Sequence, residues 1–371
     1  MGHMEHIRWS LPLTTANPAA HGGPLFDLLV ADGVVTAADV LPGRLHRGAE
    51  KLFESRDYRA CLALANRHDW LGSFGSELSL AQLLEQMLGI TVPPRAQWLR
   101  TLLAEYARIS HHLLWLSAAL DAAGRPAQAA IGSAARHGVV DGMERLAGTR
   151  MHPMVVRIGG LRADADDAWL AAVVTALAPA RTAADAMVAA LAEPALGQAD
   201  LAVLPATVAW DFAASGPVAR AAGVPLDLRL DRPDPCYAEL VADGVLRRVV
   251  RGEGDALARY QVLAHEVAVS ADCVAACADR LADLAGQPVS VPLPRSVRVP
   301  EGSGYHAGEN PGGSNGWFLV SRGGPMPHRL KLRTSSFNNA AALAAALPGT
   351  PVDSLPAAVT SFFLIAGDID R

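Results

Sequence analysis

Leu99, Leu102, Leu103, Tyr106, Ile109, Leu113, Leu116 and Leu120 keep one apolar stripe through about seven helical turns. Nothing else in the chain constrains its fold as much, because a helix that long needs neighbours to cover it from end to end. Pro93-Pro94 opens it, and proline is pre-organised for a first helical turn. The spacing therefore predicts a helix from Pro94 to about Leu120. Further helical stretches run from about Gln128 to Ala147, from about Asp164 to Leu191, and from Asp255 to about Ala285. The third is Ala-rich and apolar on most sides, the pattern of a buried bundle helix. From Arg47 to Gly89 apolar residues also recur at helical spacing, with breaks near Asp57 and Gly72.

The two ends read differently. Leu25, Leu28 and Leu29 precede Ala31-Asp32-Gly33, a turn signal, and Val34-Val35 resumes the strand, which predicts a hairpin with His21 in the loop before it. Near the other end Trp317-Phe318-Leu319-Val320 and Arg329-Leu330-Lys331-Leu332-Arg333 read as strands, and Glu309-Asn310-Pro311-Gly312-Gly313 as a turn. The expected class is α+β: a central helical bundle with small β-rich segments at both ends. The expected division is a hairpin segment over 1–46, a bundle over 47–290 with an irregular Pro/Gly-rich stretch near 201–254, and a β-rich tail over 291–371.

Composition removes several function classes. Hydrophobic residues make up 51% and charged residues 19%, enough for a large core. A formal charge of −5 with no basic stripe argues against nucleic acid. The four cysteines form no CxxC pair, and Cys273 and Cys277 share a helix face as packing residues. No signal peptide is read at the start, and no apolar run approaches the roughly 18 residues needed to cross a bilayer. His111 and His112 are neighbours on the long helix, so their side chains should diverge by about 100° and not share a metal. Arg47 and Glu50, three apart, should pair.

The order of short motifs carries a resemblance. His21 in Asn17-Pro18-Ala19-Ala20-His21-Gly22 comes first, then Leu45-His46-Arg47-Gly48-Ala49-Glu50 and Asn66-Arg67-His68-Asp69-Trp70. The long helix follows, then Arg157-Ile158-Gly159-Gly160, Ser215-Gly216-Pro217, Asp227-Leu228-Arg229, Ser321-Arg322-Gly323-Gly324 and the closing Gly367-Asp368-Ile369-Asp370-Arg371. This succession, spread over nearly the whole chain, resembles the 49-kDa-type (D) component of respiratory NADH:quinone oxidoreductase (complex I), itself related to the large subunit of nickel-iron hydrogenases.

The resemblance implies a quinone pocket beside an iron-sulfur cluster held by a neighbouring B-type subunit, with other complex I-type subunits as partners. It places the chain peripherally on the cytoplasmic face of the cell membrane. His21 falls on the family's quinone-binding His, and Asp121 on the Asp that orients and charges it. A carboxylate partner fixes an imidazole's tautomer and favours its charged form, as a proton donor needs. Arg47 and Arg67 fall near the partner's cluster, where positive charge raises a reduction potential. Quinone is the substrate, and no cofactor is expected on this chain. The hydrogenase metal is excluded on the same grounds: Asp69 lies where a cysteine ligand would be, and the closing run has no cysteine.

Four departures qualify the match, one being that a helical His-containing segment expected before the last third is missing around Leu281 to Val299. Trp70 stands where the family has a quinone-binding Tyr, and an indole N–H donates a hydrogen bond but gives up no proton. Asn17 replaces a His, and Arg125-Pro126-Ala127-Gln128 replaces an aromatic and charged segment. The pocket set is thus His21, Asp69, Trp70 and Asp121. The alternative is a non-catalytic or repurposed paralogue that has lost ordinary quinone reduction.

Overall fold

The computed structural model describes residues 4–12 and 17–371; the part of the strand-like N-terminal reading that falls on 13–16 lies outside them. The chain opens with a three-stranded antiparallel sheet, β1 (Met4–Trp9), β2 (Leu25–Ala31) and β3 (Val34–Leu41), in that order. Asp32 and Gly33 both take positive φ in the β2–β3 turn, the two-residue geometry that suits strand twist. The hairpin and the loop carrying His21 lie where the sequence puts them. Strand β1 is an addition: its residues are mostly exposed, so no burial pattern announces it.

Three short helices follow, α1 (Ala49–Glu54), α2 (Tyr58–Ala65) and α3 (Ser73–Leu88). Asp57 caps α2 by accepting from the Ala60 amide, which accounts for the break expected there, and Gly89 ends α3 in a left-handed conformation where the helical pattern stops. The bundle consists of α4 (Pro94–Ala122), α5 (Pro126–Ala147), α6 (Asp167–Thr175), α7 (Leu177–Leu191) and a later long helix. Between α5 and α6 a two-stranded hairpin, β4 (Val156–Arg157) and β5 (Gly160–Leu161), holds the Arg-Ile-Gly-Gly motif.

The single helix expected over 164–191 is two helices meeting at Ala176, and it lies at the edge of the bundle with about a third of its apolar window buried. Its alanines pack where they touch α4 and α5 and face outward elsewhere. Two stretches, 167–191 and 256–283, do reach the length and mean hydropathy, 1.2, of a membrane-spanning segment, which corrects the expectation that no run comes near. Both pack on the bundle.

The irregular stretch contains short helices α8 (Ala206–Asp211), α9 (Gly216–Ala221), α10 (Leu228–Asp231) and α11 (Pro235–Ala242). Helix α12 (Ala256–Asp283), capped by Asp255, lies along α4 and completes the bundle. A second antiparallel sheet, β6 (Gly302–Asn310), β7 (Gly313–Ser321) and β8 (Arg329–Arg333), precedes α13 (Ser335–Ala346), α14 (Leu355–Thr360) and α15 (Ala366–Asp370). Strand β6 escapes sequence reading because Gly302, Gly304 and Gly308 weaken its strand pattern. Two of those glycines answer to packing: a Cβ at 304 would come within 2.8 Å of the Met87 sulfur, and one at 308 within 2.6 Å of Ser79 Oγ.

The apolar stripe on α4 explains only half of that helix's burial. Arg95, Arg100, Glu105, Arg108, His111 and His112 are buried on its other faces. Glu105 accepts from Arg229 Nη1 at 2.9 Å, Ser270 Oγ at 2.6 Å and Tyr237 Oη at 2.7 Å. On α9, Arg220 donates to Glu266 of α12 and to Glu309 of β6, each at 2.7 Å. Burial opposes the Glu266 charge, yet Arg220 and the His112 hydrogen bond hold its carboxyl well below the usual range.

His111 and His112 do not diverge as expected; their Nδ1 atoms are 3.0 Å apart. Trp115 Nε1, a donor only, points at His111 Nε2 (3.2 Å), so His111 carries its proton on Nδ1 and donates it to His112. His112 in turn donates from Nε2 to Glu266 at 2.9 Å. Both rings are neutral and committed to the core.

Arg220→Leu would leave Glu266 and Glu309 buried without their counter-charge. The expected loss is about 3–5 kcal/mol of stability, read as a lower urea midpoint, and adding Glu266→Gln should recover part of it.

Candidate functional site

The loop between α2 and α3 is the centre of the site. Asn66 ends α2, and Asp69 accepts from the amides of Leu71 (3.1 Å) and Gly72 (2.8 Å), starting α3. Gly72 has to be glycine, because a Cβ there would collide with the Asp69 carboxylate. Trp70 is thereby held half-buried at the surface of the loop, packed on the core.

His21 ends a short helical turn, Pro18–Ala20, whose buried cap Asn17 accepts from the Ala19 amide and donates to Thr360 Oγ1 at 2.5 Å. Asn17 is thus the anchor of the His21 loop. The exposed His21 ring stands edge-to-face against Trp70, centroids 6.1 Å apart and planes 81° apart. The structure thus brings together two residues 49 positions apart in sequence.

Asp121 is not joined to them in the same way. It is exposed near the end of α4, and among the described residues no hydrogen bond or ion pair links it to His21. Arg67 is exposed, its guanidinium 3.4 Å from the Met154 sulfur. Arg47 is also exposed and does not pair with Glu50. Glu50 instead accepts from Arg329 Nη2 (2.5 Å) and the Leu332 amide (3.1 Å), so it ties α1 to β8. Helix α1 begins only at Ala49, which leaves Arg47 outside the helical register that pairing needs.

Sequence reading passed over His68 as a site residue. Its Nδ1 lies 2.7 Å from Asp368 Oδ1, with both side chains buried. The other Asp368 oxygen accepts from the Ser336 amide at 2.9 Å. Asp370 accepts from the amides of Gly43 and Leu45, each at 2.6 Å, and its carbonyl meets His46 Nδ1 at 2.8 Å. The closing run noted only as a motif therefore binds both the loop around Trp70 and the segment before α1. Three alternating residues, Asp368, Ile369 and Asp370, with charge on either side of an apolar one, were the available signal.

Burial, then the nearby Asp368 charge, push the Asp69 carboxyl up to about 6. Burial likewise raises Glu77, on α3, to about 7 although it accepts from Asn66 and the Met154 amide. Burial opposes the Asp368 charge, but hydrogen bonds from His68 and Ser336 hold it below the ordinary value.

Two cavities flank the loop. One of about 620 Å³ lies between α2 and the β4–β5 hairpin, lined by Arg59, Arg157, Arg162, Glu77, Met154 and Val291. The other, beside Trp70, Phe74, Tyr106, Ser110, Arg136 and Met143, is only about 60 Å³. That is room for a water or two and not for a quinone ring. Trp70 lines this small cavity and His21 does not.

Glu77 gives a pH prediction. Its carboxyl is protonated more readily folded than unfolded, so its contribution is full below about 4.5 and is lost as pH rises through about 7. Melting temperature measured from pH 5 to 8 should fall less steeply in Glu77→Gln than in the parent.

Residues 123–295 and 289–371 match the family model described as the 49 Kd subunit of respiratory-chain NADH dehydrogenase. A D-type subunit of the NADH-quinone oxidoreductase of Streptomyces griseus is 41% identical, over 100% of this chain and 94% of that one. The D-type subunit of the same enzyme from Methylacidiphilum infernorum is 30% identical over 100% and 94%. Among solved structures, a chain of the membrane-bound sulfane sulfur reductase, an archaeal respiratory membrane complex, superposes with a TM-score of 0.88 at 28% identity, covering 99% of this chain and 98% of that one.

Proposed function

The chain belongs to the 49 Kd (D-type) family of respiratory-chain NADH dehydrogenase subunits, as one component of an NADH-quinone oxidoreductase, and from that premise we propose that it forms one wall of the quinone site. The observation that carries this reading is the His21–Trp70 pair, two rings from distant segments held edge-to-face at the surface. The pair offers a polar donor, His21, and a flat apolar face, Trp70, the two features a quinone head group uses. The shallow cavity beside Trp70 supports a site completed by a second subunit.

In this reading the electrons arrive from an iron-sulfur cluster on a B-type partner. Quinone accepts two electrons and two protons to become quinol, and His21 gives one of the protons. Asp121 is kept as the carboxylate that serves His21 on the strength of its family match; both side chains are exposed. Exposed Arg47 and Arg67 face the partner, where their charge raises the cluster's potential. The assembly lies peripherally on the cytoplasmic side of the membrane, with the other complex I-type subunits.

A second reading has a specific observation behind it. The indole of Trp70 releases no proton, so a repurposed site working on another acceptor fits the same wall. The superposable archaeal chain belongs to a sulfane sulfur reductase, so the fold is found outside NADH-quinone oxidoreductases.

His21→Ala should reduce quinone turnover of the purified complex by about 100-fold or more while leaving its subunit content unchanged. Trp70→Tyr should speed turnover; a fall in that variant, with the complex intact, would favour the repurposed site.

A further inference from the structure

The quinone reading leaves a shortage: one exposed imidazole and an indole supply one proton where two are needed. Directly before Trp70 lies a group able to make up the difference. Asp69 is 3% exposed, and among the described residues only its Oδ1 accepts hydrogen bonds, from Leu71 and Gly72. His68, 4% exposed, gives Nδ1 to Asp368, while its buried Nε2 has no partner among the described residues. Two carboxylates and one imidazole thus share a closed space, and the burial and mutual repulsion of the carboxylates make full ionisation of the set costly.

We propose, on the basis of the quinone reading, that Asp69, poised by the His68–Asp368 pair, holds the second proton for this pocket in place of the phenol that Trp70 lacks. The balance is simple. The partner's iron-sulfur cluster gives two electrons in succession, His21 and Asp69 each give one proton, and quinone leaves as quinol. Asp69 is left as a carboxylate and is reprotonated from bulk water between turnovers.

The surroundings suit a proton store. His68 meets Trp317 edge-to-face, centroids 6.1 Å apart, which shields it from the β7 side. On the α13 side Asp368 meets Ser335 and Ser336, and the Arg333 guanidinium feels its charge from β8. From β6, Asn310 lies against Gly72 beside the Asp69 carboxylate and contributes a neutral polar side chain. The charged groups facing Asp69 are therefore His68, which favours its ionised form, and Asp368, which opposes it. Burial keeps the proton on Asp69 up to about pH 6. Because the acid form does the work, turnover must decline as pH rises past that region.

The test uses the whole purified complex, assayed from pH 5.5 to 8.5 with a short-chain quinone. A one-electron acceptor that bypasses the quinone serves as a control, together with spectroscopic cluster content. Asp69→Asn should lower quinone turnover about 10-fold or more and flatten the decline at high pH, with the control activity unchanged. Adding Trp70→Tyr to Asp69→Asn should restore turnover to within about three-fold of the parent, a rescue that a merely structural role for Asp69 would not give. His68→Gln removes the imidazole that favours ionised Asp69, so the decline should move to higher pH, and it tests the proposal even if Asp69→Asn fails to assemble. Parental turnover and pH profile in Asp69→Asn, no rescue by Trp70→Tyr, or no movement in His68→Gln would overturn it. A parent complex with no quinone turnover would overturn the quinone reading itself, and this inference with it.

Discussion

The fold depends on charge buried between two long helices. Arg220 has Glu266 on one side and Glu309 on the other, while Glu105 gathers Arg108, Arg229, Ser270 and Tyr237. Ion pairs of this kind gain little net stability over apolar packing, because desolvation takes back most of the attraction. Their effect is on uniqueness. An apolar α4 could slide or turn against α12 at small cost, whereas a misplaced Glu266 would be left buried and unpaired. The constraint also reaches the site: Arg108 donates to the carbonyls of Glu309 and Asn310, and Asn310 Nδ2 donates to the carbonyl of Gly72 and to Ser76. The position of the loop carrying Asp69 and Trp70 is thus set by charges in the bundle.

A second tie closes the site from the opposite side. Asp370 gathers the amides before α1, and Asp368 takes His68, Thr334 and Ser336. Residues some 300 positions apart are joined through charged and amide contacts in a five-residue run. Closing so long a loop costs entropy, which these contacts must offset. The site around Trp70 is therefore held from two sides, by the bundle through Asn310 and by the closing run through Asp368.

How far the sequence disclosed this follows from which interactions are local. The α4 stripe, the Asp57 cap, the Gly89 stop and the Asp32-Gly33 turn are decided within a few residues, and they lie where the pattern puts them. Strand β6 was hidden because its glycines answer to Met87 and Ser79 rather than to strand propensity. The break at Ala176 is marked by Pro179, which has no N–H to give the Thr175 carbonyl of a continuous helix. His111 and His112 were misjudged because ideal helical angles ignore what long side chains do when Trp115 and Glu266 offer partners. The His21–Trp70 contact was legible only through the order of motifs, and the His68–Asp368 pair was missed because nothing near either residue announces the other.

The pocket's chemistry differs from its outline for a reason that lies in two side chains. A tyrosine both shapes a ring-binding wall and carries a labile proton; a tryptophan does only the first. Keeping the wall while losing the hydroxyl leaves the ring geometry with His21 intact and changes where protons can come from. The nearest group with one to give is not at the surface but beneath it, among Asp69, His68 and Asp368. Burial, which makes those carboxylates costly to ionise, is what lets Asp69 hold a proton up to about pH 6. On the proposal made above, with Trp70 in the tyrosine's place, a proton-coupled reaction at this wall would draw on His21 outside and on Asp69 inside.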